Sequence, residues 1–237
     1  MTGYWDIHNH ILPGVDDGSG CMSETMQMLQ EEYQQGVRHV VFTPHYRRGM
    51  FAIPREEIQI VYERVCEAAR EQFVDMEFYL GCEYYVHKED TGIVLNDISY
   101  QMPGARSVLL EFSYEKPFQS ICEVVRKTVQ SGMIPILAHI ERYECLCGNL
   151  NNVASLRNDG AKIQINADSL LGKHGFGMKR FCMKVLKEDI VDFIASDAHD
   201  TVNRTVNMKA AIEVVRKKYG SGKAESIFVT GPEQLLR

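Results

Sequence analysis

The stretch Ile134-Pro135-Ile136-Leu137-Ala138-His139-Ile140-Glu141-Arg142 is an apolar run that ends in an imidazole, with a guanidinium three residues further on. Near-continuous hydrophobicity of this length suits a strand covered on both faces, as in a parallel sheet. Six more runs of the same kind lie at 4–8, 37–43, 76–81, 107–111, 161–166 and 190–196. Helical patterns fill most of the gaps, at 23–35, 54–73, 117–131, 179–188 and 206–219, with two short helices expected near 223–228 and 232–236. In the first of these helices Ser23 is placed to cap the start and Gly36 to stop the end. Strands alternating with helices imply βαβ units and a parallel sheet. No Pro/Gly/Ser-rich linker, low-complexity segment or internal repeat divides the chain, so one domain spanning 1–237 is expected.

Working outward from His139, the same residue types recur just past each apolar run. His8 and His10 follow the first, His45 the second, Glu83 the third, and Glu111 ends the fourth. Asp197 and His199 follow the last, and Asn166 holds the equivalent place after the sixth. With Asn166 counted, the intervals from His8 to Asp197 run from 27 to 38 residues, about one βα unit each. In parallel barrels the carboxyl ends of the strands converge on one face, which hosts the active site. Each residue alone has an ordinary explanation. A lone His-x-His is often incidental, a glutamate at a strand end can simply reach solvent, and a single core histidine is usually hydrogen-bonded. Their joint placement points instead to one polynuclear metal site. Imidazole and carboxylate donors without sulfur suit manganese, iron or zinc rather than calcium or magnesium alone. Asp6, two residues before His8, is placed to orient an imidazole. His39, His87 and His174 read as structural or surface residues, although the Gly-rich segment 172–177 that carries His174 could cap the site.

Clustered divalent ions lower the pKa of a bridging water and clamp the oxygens of a phosphate ester. Phosphate also needs cationic side chains, and arginine bonds two of its oxygens at once. Arg142 and Arg204 follow His139 and His199 on the same loops. Arg47 and Arg48, after His45, read as a solvated basic turn.

Composition narrows the alternatives. The chain has 237 residues, 45% of them hydrophobic and 24% charged, enough for a sizeable core. A net charge of −6 and a pI near 5.8 argue against a nucleic-acid partner, which needs a basic face. No run reaches the ~18 apolar residues of a membrane span. Residues 1–6 lack the basic-then-apolar pattern of an export signal, so a cytoplasmic protein without membrane insertion is expected. The seven cysteines are irregularly spaced and read as reduced thiols. None is followed six residues later by arginine, so the Cys-x5-Arg loop of cysteine-dependent phosphatases is missing.

At these residues the sequence resembles the PHP (polymerase and histidinol phosphatase) superfamily. The pattern of that superfamily is matched by His8/His10, Thr43-Pro44-His45, Glu83, His139 and Asp197/His199. The resemblance is closer to one branch, the bacterial metal-dependent protein-tyrosine phosphatases of capsule and exopolysaccharide operons. The stretches that carry it are 6–18, 139–143, 169–173 and 193–199, and it covers nearly the whole chain. It implies a distorted (β/α)7 TIM-like barrel of the PHP type holding three divalent metals, usually manganese. By motif, one metal takes His8, His10, Glu83 and Asp197. A second shares Glu83 and adds Glu111 and His139. The third takes Asp17, His45 and His199, with Asp17 preferred to Asp16 on the resemblance alone. Arg142 and Arg204 hold the phosphate, Arg204 on a loop whose sequence is not tightly patterned. The implied reaction is hydrolysis of phosphotyrosine on a protein, with an autophosphorylating tyrosine kinase at the membrane as the expected partner. A small-molecule phosphatase, such as one for histidinol phosphate, and a non-catalytic kinase-binding module are the rival readings.

Overall fold

The computed structural model describes residues 3–87, 100–104 and 106–236. The chain runs β1 (Tyr4–Asp6), α1 (Met22–Gln34), β2 (Val37–Phe42), β3 (His45–Tyr46), α2 (Arg55–Arg70), β4 (Glu77–Leu80), β5 (Glu83–Tyr85) and β6 (Ser107–Glu111). It continues through α3 (Phe118–Gln130), β7 (Ile134–Leu137), a 3-10 turn (Ile140–Arg142), α4 (Leu150–Asn158), β8 (Lys162–Asn166), α5 (Ala167–Leu171) and α6 (Phe176–Lys187). Strand β9 (Phe193–Ala195) precedes α7 (Met208–Tyr219), α8 (Ser221–Glu225), a π turn (Ser226–Thr230) and α9 (Gly231–Leu236).

All the strand pairs are parallel, in the orders β1-β2-β4 and β3-β5-β6-β7-β8-β9. Strands β3 and β5 were not foreseen. They arise because two expected strands are interrupted just before their candidate ligands. Pro44 lacks the N–H that would continue β2. At Gly81 an added Cβ would meet Met102 Sδ at 2.7 Å. The paths nevertheless stay together, with Gly81 N donating to Phe42 O (2.8 Å) and Glu83 N to Pro44 O (3.1 Å). At the other margin an isolated parallel bridge joins Asn9 to Ala198. His10 N donates to Ala198 O and Asp197 N to His8 O, both at 2.8 Å. The sheet therefore curls until the ends of its first and last strands meet.

Side-chain alternation along the strands builds two cores. An inner cluster holds Trp5, Ile7, Val41, Leu109, Ile136 and Phe193 and is closed by Leu235 and Leu236 of α9. An outer cluster fills the shell between sheet and helices, with Val40, Phe42, Val108 and Leu110 meeting Met28, Val65 and Val125.

The helix ends depart from expectation in small ways. Helix α1 starts at Met22, with Cys21 at the cap position and no side-chain cap. Ser23 therefore lies inside its first turn, and Glu24 instead accepts from Gly20 N at 2.8 Å. Gly36 does follow the helix at φ +87°, where a side chain would be strained. Helices α4 and α5 lie in gaps where none was expected. Among the described residues no helix is long and apolar enough to cross a membrane.

The inner cluster predicts a contrast in stability. Replacing the fully buried Leu109 by Ala should cost about 2–5 kcal/mol in urea unfolding. Ile60→Ala, at a site 58% exposed on α2, should change stability by no more than about 0.5 kcal/mol.

Candidate metal centre

The carboxyl ends of the strands bring the nine candidate ligands into one cluster. Its hub is Glu83, the first residue of β5, which is fully buried. Glu83 Oε2 lies 3.1 Å from His8 Nε2, 3.2 Å from His10 Nε2 and 3.0 Å from His45 Nδ1. Its Oε1 lies 2.9 Å from His139 Nε2. Four overlapping groups result: His10, Asp17, His45 and His199; His8, His10 and Asp197; His8, Glu83 and His139; His45, Glu83 and Glu111. Within each, one donor atom per residue lies within 4.8 Å of the others.

Local backbone explains the placement. The bridge to residues 197–198 keeps 8–10 extended beyond the end of β1. His8 and His10 thus face the same groups while Asn9 turns away to donate to Val41 O at 3.1 Å. His45 stands opposite Glu83 in the β3–β5 register. His139 (φ +32°) and Asp197 (φ +51°) occupy left-handed conformations that cost non-glycine residues on the order of 1–3 kcal/mol. Hydrogen bonds offset that cost. His139 N donates to Gln164 Oε1 at 2.7 Å, and Asp197 N is held by His8 O.

A layer of supporting side chains surrounds the cluster. Asp16, adjacent to Asp17, accepts from His10 Nδ1 (2.7 Å), His45 N (3.0 Å) and Gly18 N (2.9 Å). Its carboxyl is held below the usual range, because the charges of His10 and His45 overcome the opposing effect of burial. Asp17 instead reaches the cluster, with Oδ1 3.5 Å from His45 Nε2 and 3.6 Å from His199 Nε2. Of these two neighbours, Asp17 is the one that falls in a donor group. Gln164 and Asn166 share the inner face of β8. Gln164 Oε1 lies 3.3 Å from His8 Nδ1, and Asn166 Nδ2 donates to Asp197 Oδ2 at 2.6 Å. Gln164 was overlooked in the sequence, although the alternation Lys162-Ile163-Gln164-Ile165-Asn166 puts a polar side chain inside at every second position.

Asp6 does not orient an imidazole. It accepts from Ser196 N (2.9 Å), Ser196 Oγ (2.5 Å) and Asn9 Nδ2 (3.3 Å), and so ties the end of β9 to the end of β1. His39 stacks on Trp5 with ring centroids 4.5 Å apart, and the exposed His174 joins none of the groups. His87 also stays outside the groups. All seven cysteines are free thiols.

The electrostatics suit divalent cations. Glu111 is pushed up to about 8 by burial and by the charges of Glu83 and Asp197. His199 is pushed down to about 2 by burial and by the charge of His10. Several donor atoms aimed into the cluster, His45 Nδ1, Glu83 Oε2 and His199 Nε2, are buried without a hydrogen bond. His45 Nδ1 and Glu83 Oε2 are close, yet not aligned as donor and acceptor. Buried polar atoms left this way are costly, and cations shared among carboxylate and imidazole donors would satisfy them. The residues therefore fit a polynuclear metal site.

Two arginines converge beside it. Arg142, from the 3-10 turn after β7, and Arg204, from the loop after β9, each place Nη2 2.9 Å from Asp197 Oδ2. The Arg204 loop is more ordered than its sequence suggested, because Asp200 accepts from the backbone N–H groups of Val202, Asn203 and Arg204. Both arginines line a cavity of about 190 Å³ that opens onto Asp17, His45, Glu83 and Glu111. Arg47 lines it too, so it is not merely a solvated turn residue. Because Asp16 orients His10, Asp16→Ala should weaken metal binding roughly 10–100-fold, read by chelator competition. Unchanged affinity would mean that His10 needs no such support.

Residues 4–237 match the family described as capsular polysaccharide synthesis, CpsB/CapC. The chain is 34% identical over 236 residues to the tyrosine-protein phosphatase CpsB of Streptococcus pneumoniae, covering 98% of this chain and 97% of that one. It is 26% identical over 232 residues to the tyrosine-protein phosphatase YwqE of Bacillus subtilis, covering 98% and 91%. Crystal structures of YwqE and CpsB, described as unique metal-dependent tyrosine phosphatases, include a chain that superposes with a TM-score of 0.87 at 25% identity, over 98% of this chain and 93% of that one.

Proposed function

The chain belongs to the CpsB/CapC family, and on that membership and the cluster around Glu83 we propose that it hydrolyses phosphotyrosine on proteins in a metal-dependent reaction. The observation that carries this reading is the coincidence of four overlapping donor groups with two converging guanidiniums on one cavity. Three divalent ions, manganese above all, would be held by His8, His10, Glu83 and Asp197, by Glu83, Glu111 and His139, and by Asp17, His45 and His199. When bound, they supply an activated water and positive charge toward the phosphoryl oxygens.

The remaining work falls to the chain's own side chains. Arg142 and Arg204 hold the equatorial oxygens, their planar forks matching a phosphoryl group. Burial and the hydrogen bond from Asn166 keep Asp197 aligned between the two guanidiniums. Phenolate, with a pKa of about 10, leaves without a strong general acid. The cavity that holds the two arginines is lined by no cysteine, which supports a reaction without a phosphocysteine intermediate.

The whole of 1–237 acts as one domain. The path from β2 into β3 and the path from β4 into β5 each count once, and the sheet then reads as a distorted (β/α)7 barrel. The partner is a tyrosine kinase governing polysaccharide export at the cytoplasmic face of a membrane.

The test is phosphate release from a phosphotyrosyl peptide by chelated, then manganese-restored protein, beside histidinol phosphate at equal concentration. Manganese-dependent release from the peptide is expected. Release from histidinol phosphate alone would overturn the substrate. Arg142→Ala should lower kcat about 10²–10³-fold with metal content retained.

A further inference from the structure

A second cavity, of about 220 Å³, adjoins the one that holds the donor cluster. Arg47, Glu111 and Tyr114 line both. The second is completed by Tyr85, Phe112 and Ser113. The first cavity holds candidate ligands together with Met50 and Phe51, whereas the second adds the ring of Tyr85 beside Arg47 and Tyr114.

The shape of this second cavity is built rather than incidental. Residues 47–51 form a turn closed at both ends. Arg47 N donates to Phe51 O at 2.6 Å and Phe51 N to Arg47 O at 2.8 Å. Gly49 at its tip takes φ +77°. The turn stacks Phe51 on the candidate ligand His45, with ring centroids 5.5 Å apart and planes 10° from parallel. It also sets the Arg47 guanidinium 4.0 Å above the Tyr85 ring. One guanidinium face is covered by Tyr85, and Arg47 makes no carboxylate pair within 4 Å among the described residues. Across the cavity Tyr114 is 48% exposed. Its backbone carbonyl accepts from Glu144 N at 2.9 Å, which fixes the loop that carries it. The Phe112 ring is turned into the core against Tyr143 and leaves the cavity to Tyr85, Arg47 and Tyr114.

A different and larger cavity, of about 270 Å³, is bounded by Tyr46, Ile53, Arg55, Glu56, Cys82 and Tyr100. It shares no lining residue with the donor cavity, so a group bound there would not be continuous with a phosphate at the cluster.

We propose that the cavity between Arg47 and Tyr114 receives the phenyl ring of the phosphotyrosyl substrate and so selects aryl over alkyl phosphates. This rests on the phosphatase reading above. With the phosphate at Arg142 and Arg204, the ester oxygen is directed past Glu111 and the ring enters the adjoining space. The Arg47 guanidinium then attracts the ring by cation–π interaction, and Tyr114 meets it as an aromatic neighbour. A seryl phosphate fills the first cavity and leaves these surfaces wet. Arg47 and Tyr114 are thus specificity-determining residues, distinct from the phosphate-holding pair.

Two phosphonates that differ only in their organic group isolate the ring contact from leaving-group chemistry. Dissociation constants of phenylphosphonate and methylphosphonate are measured by calorimetry on the manganese-loaded protein. The wild type should bind phenylphosphonate about tenfold more tightly. Tyr114→Ala and Arg47→Ala should each pull that ratio toward one, and Tyr114→Phe should keep it. Equal binding of the two by the wild type overturns the proposal, as does a ratio that survives both alanine variants. Binding of neither phosphonate would instead overturn the phosphatase reading, and the ring site with it.

Discussion

One fully buried carboxylate faces four imidazoles, and much of this architecture serves to hold it there. Glu83 meets His8, His10, His45 and His139 within 3.2 Å. A buried charge is tolerated only when it is paired and hydrogen-bonded. Its partners come from residues 8, 10, 45 and 139, so three strand ends must arrive at the strand that carries Glu83. The interruption at Pro44 and Gly81 lets β3 and β5 turn their first residues toward each other in register. The left-handed backbone at His139 and Asp197 turns two more side chains inward at a local cost. The bridge from Asn9 to Ala198 draws the first and last strands together around the same centre.

Charge is balanced at three depths. At the centre, Glu83, Glu111 and Asp197 stand among histidines, with the Glu111 carboxyl pushed up by burial and by the charges of Glu83 and Asp197. Behind the histidines, Asp16 and Gln164 hold two imidazoles in place. In front, Arg142 and Arg204 meet on Asp197, so cationic forks stand where an anionic ligand would enter.

The sequence was most legible where burial imposes a period. Apolar runs of strand length separated by helical patterns announced a parallel α/β sheet, and the polar residue at each strand end announced a shared face. Legibility failed where a contact depends on a distant segment. Asp6 sits at the right spacing to support His8, yet its oxygens are taken by Ser196, which lies 190 residues away. Ser23 has the chemistry of a helix cap, but the preceding turn starts α1 two residues earlier than that role needs. Arg47 read as a solvated basic residue because nothing local reveals that its turn lays it on Tyr85.

By itself, then, the sequence determined the layered α/β class, a pool of candidate donor residues and the absence of a cysteine-based phosphatase loop, because periodicity and residue chemistry are local properties. Only the tertiary structure decided that Asp17 reaches the cluster while Asp16 supports it, that both arginines converge on Asp197, and that a cavity lined by Tyr85 and Tyr114 adjoins the one at the cluster. Those outcomes depend on how the curled sheet closes and which loop ends it brings within hydrogen-bonding distance, and spacing along the chain does not encode that closure.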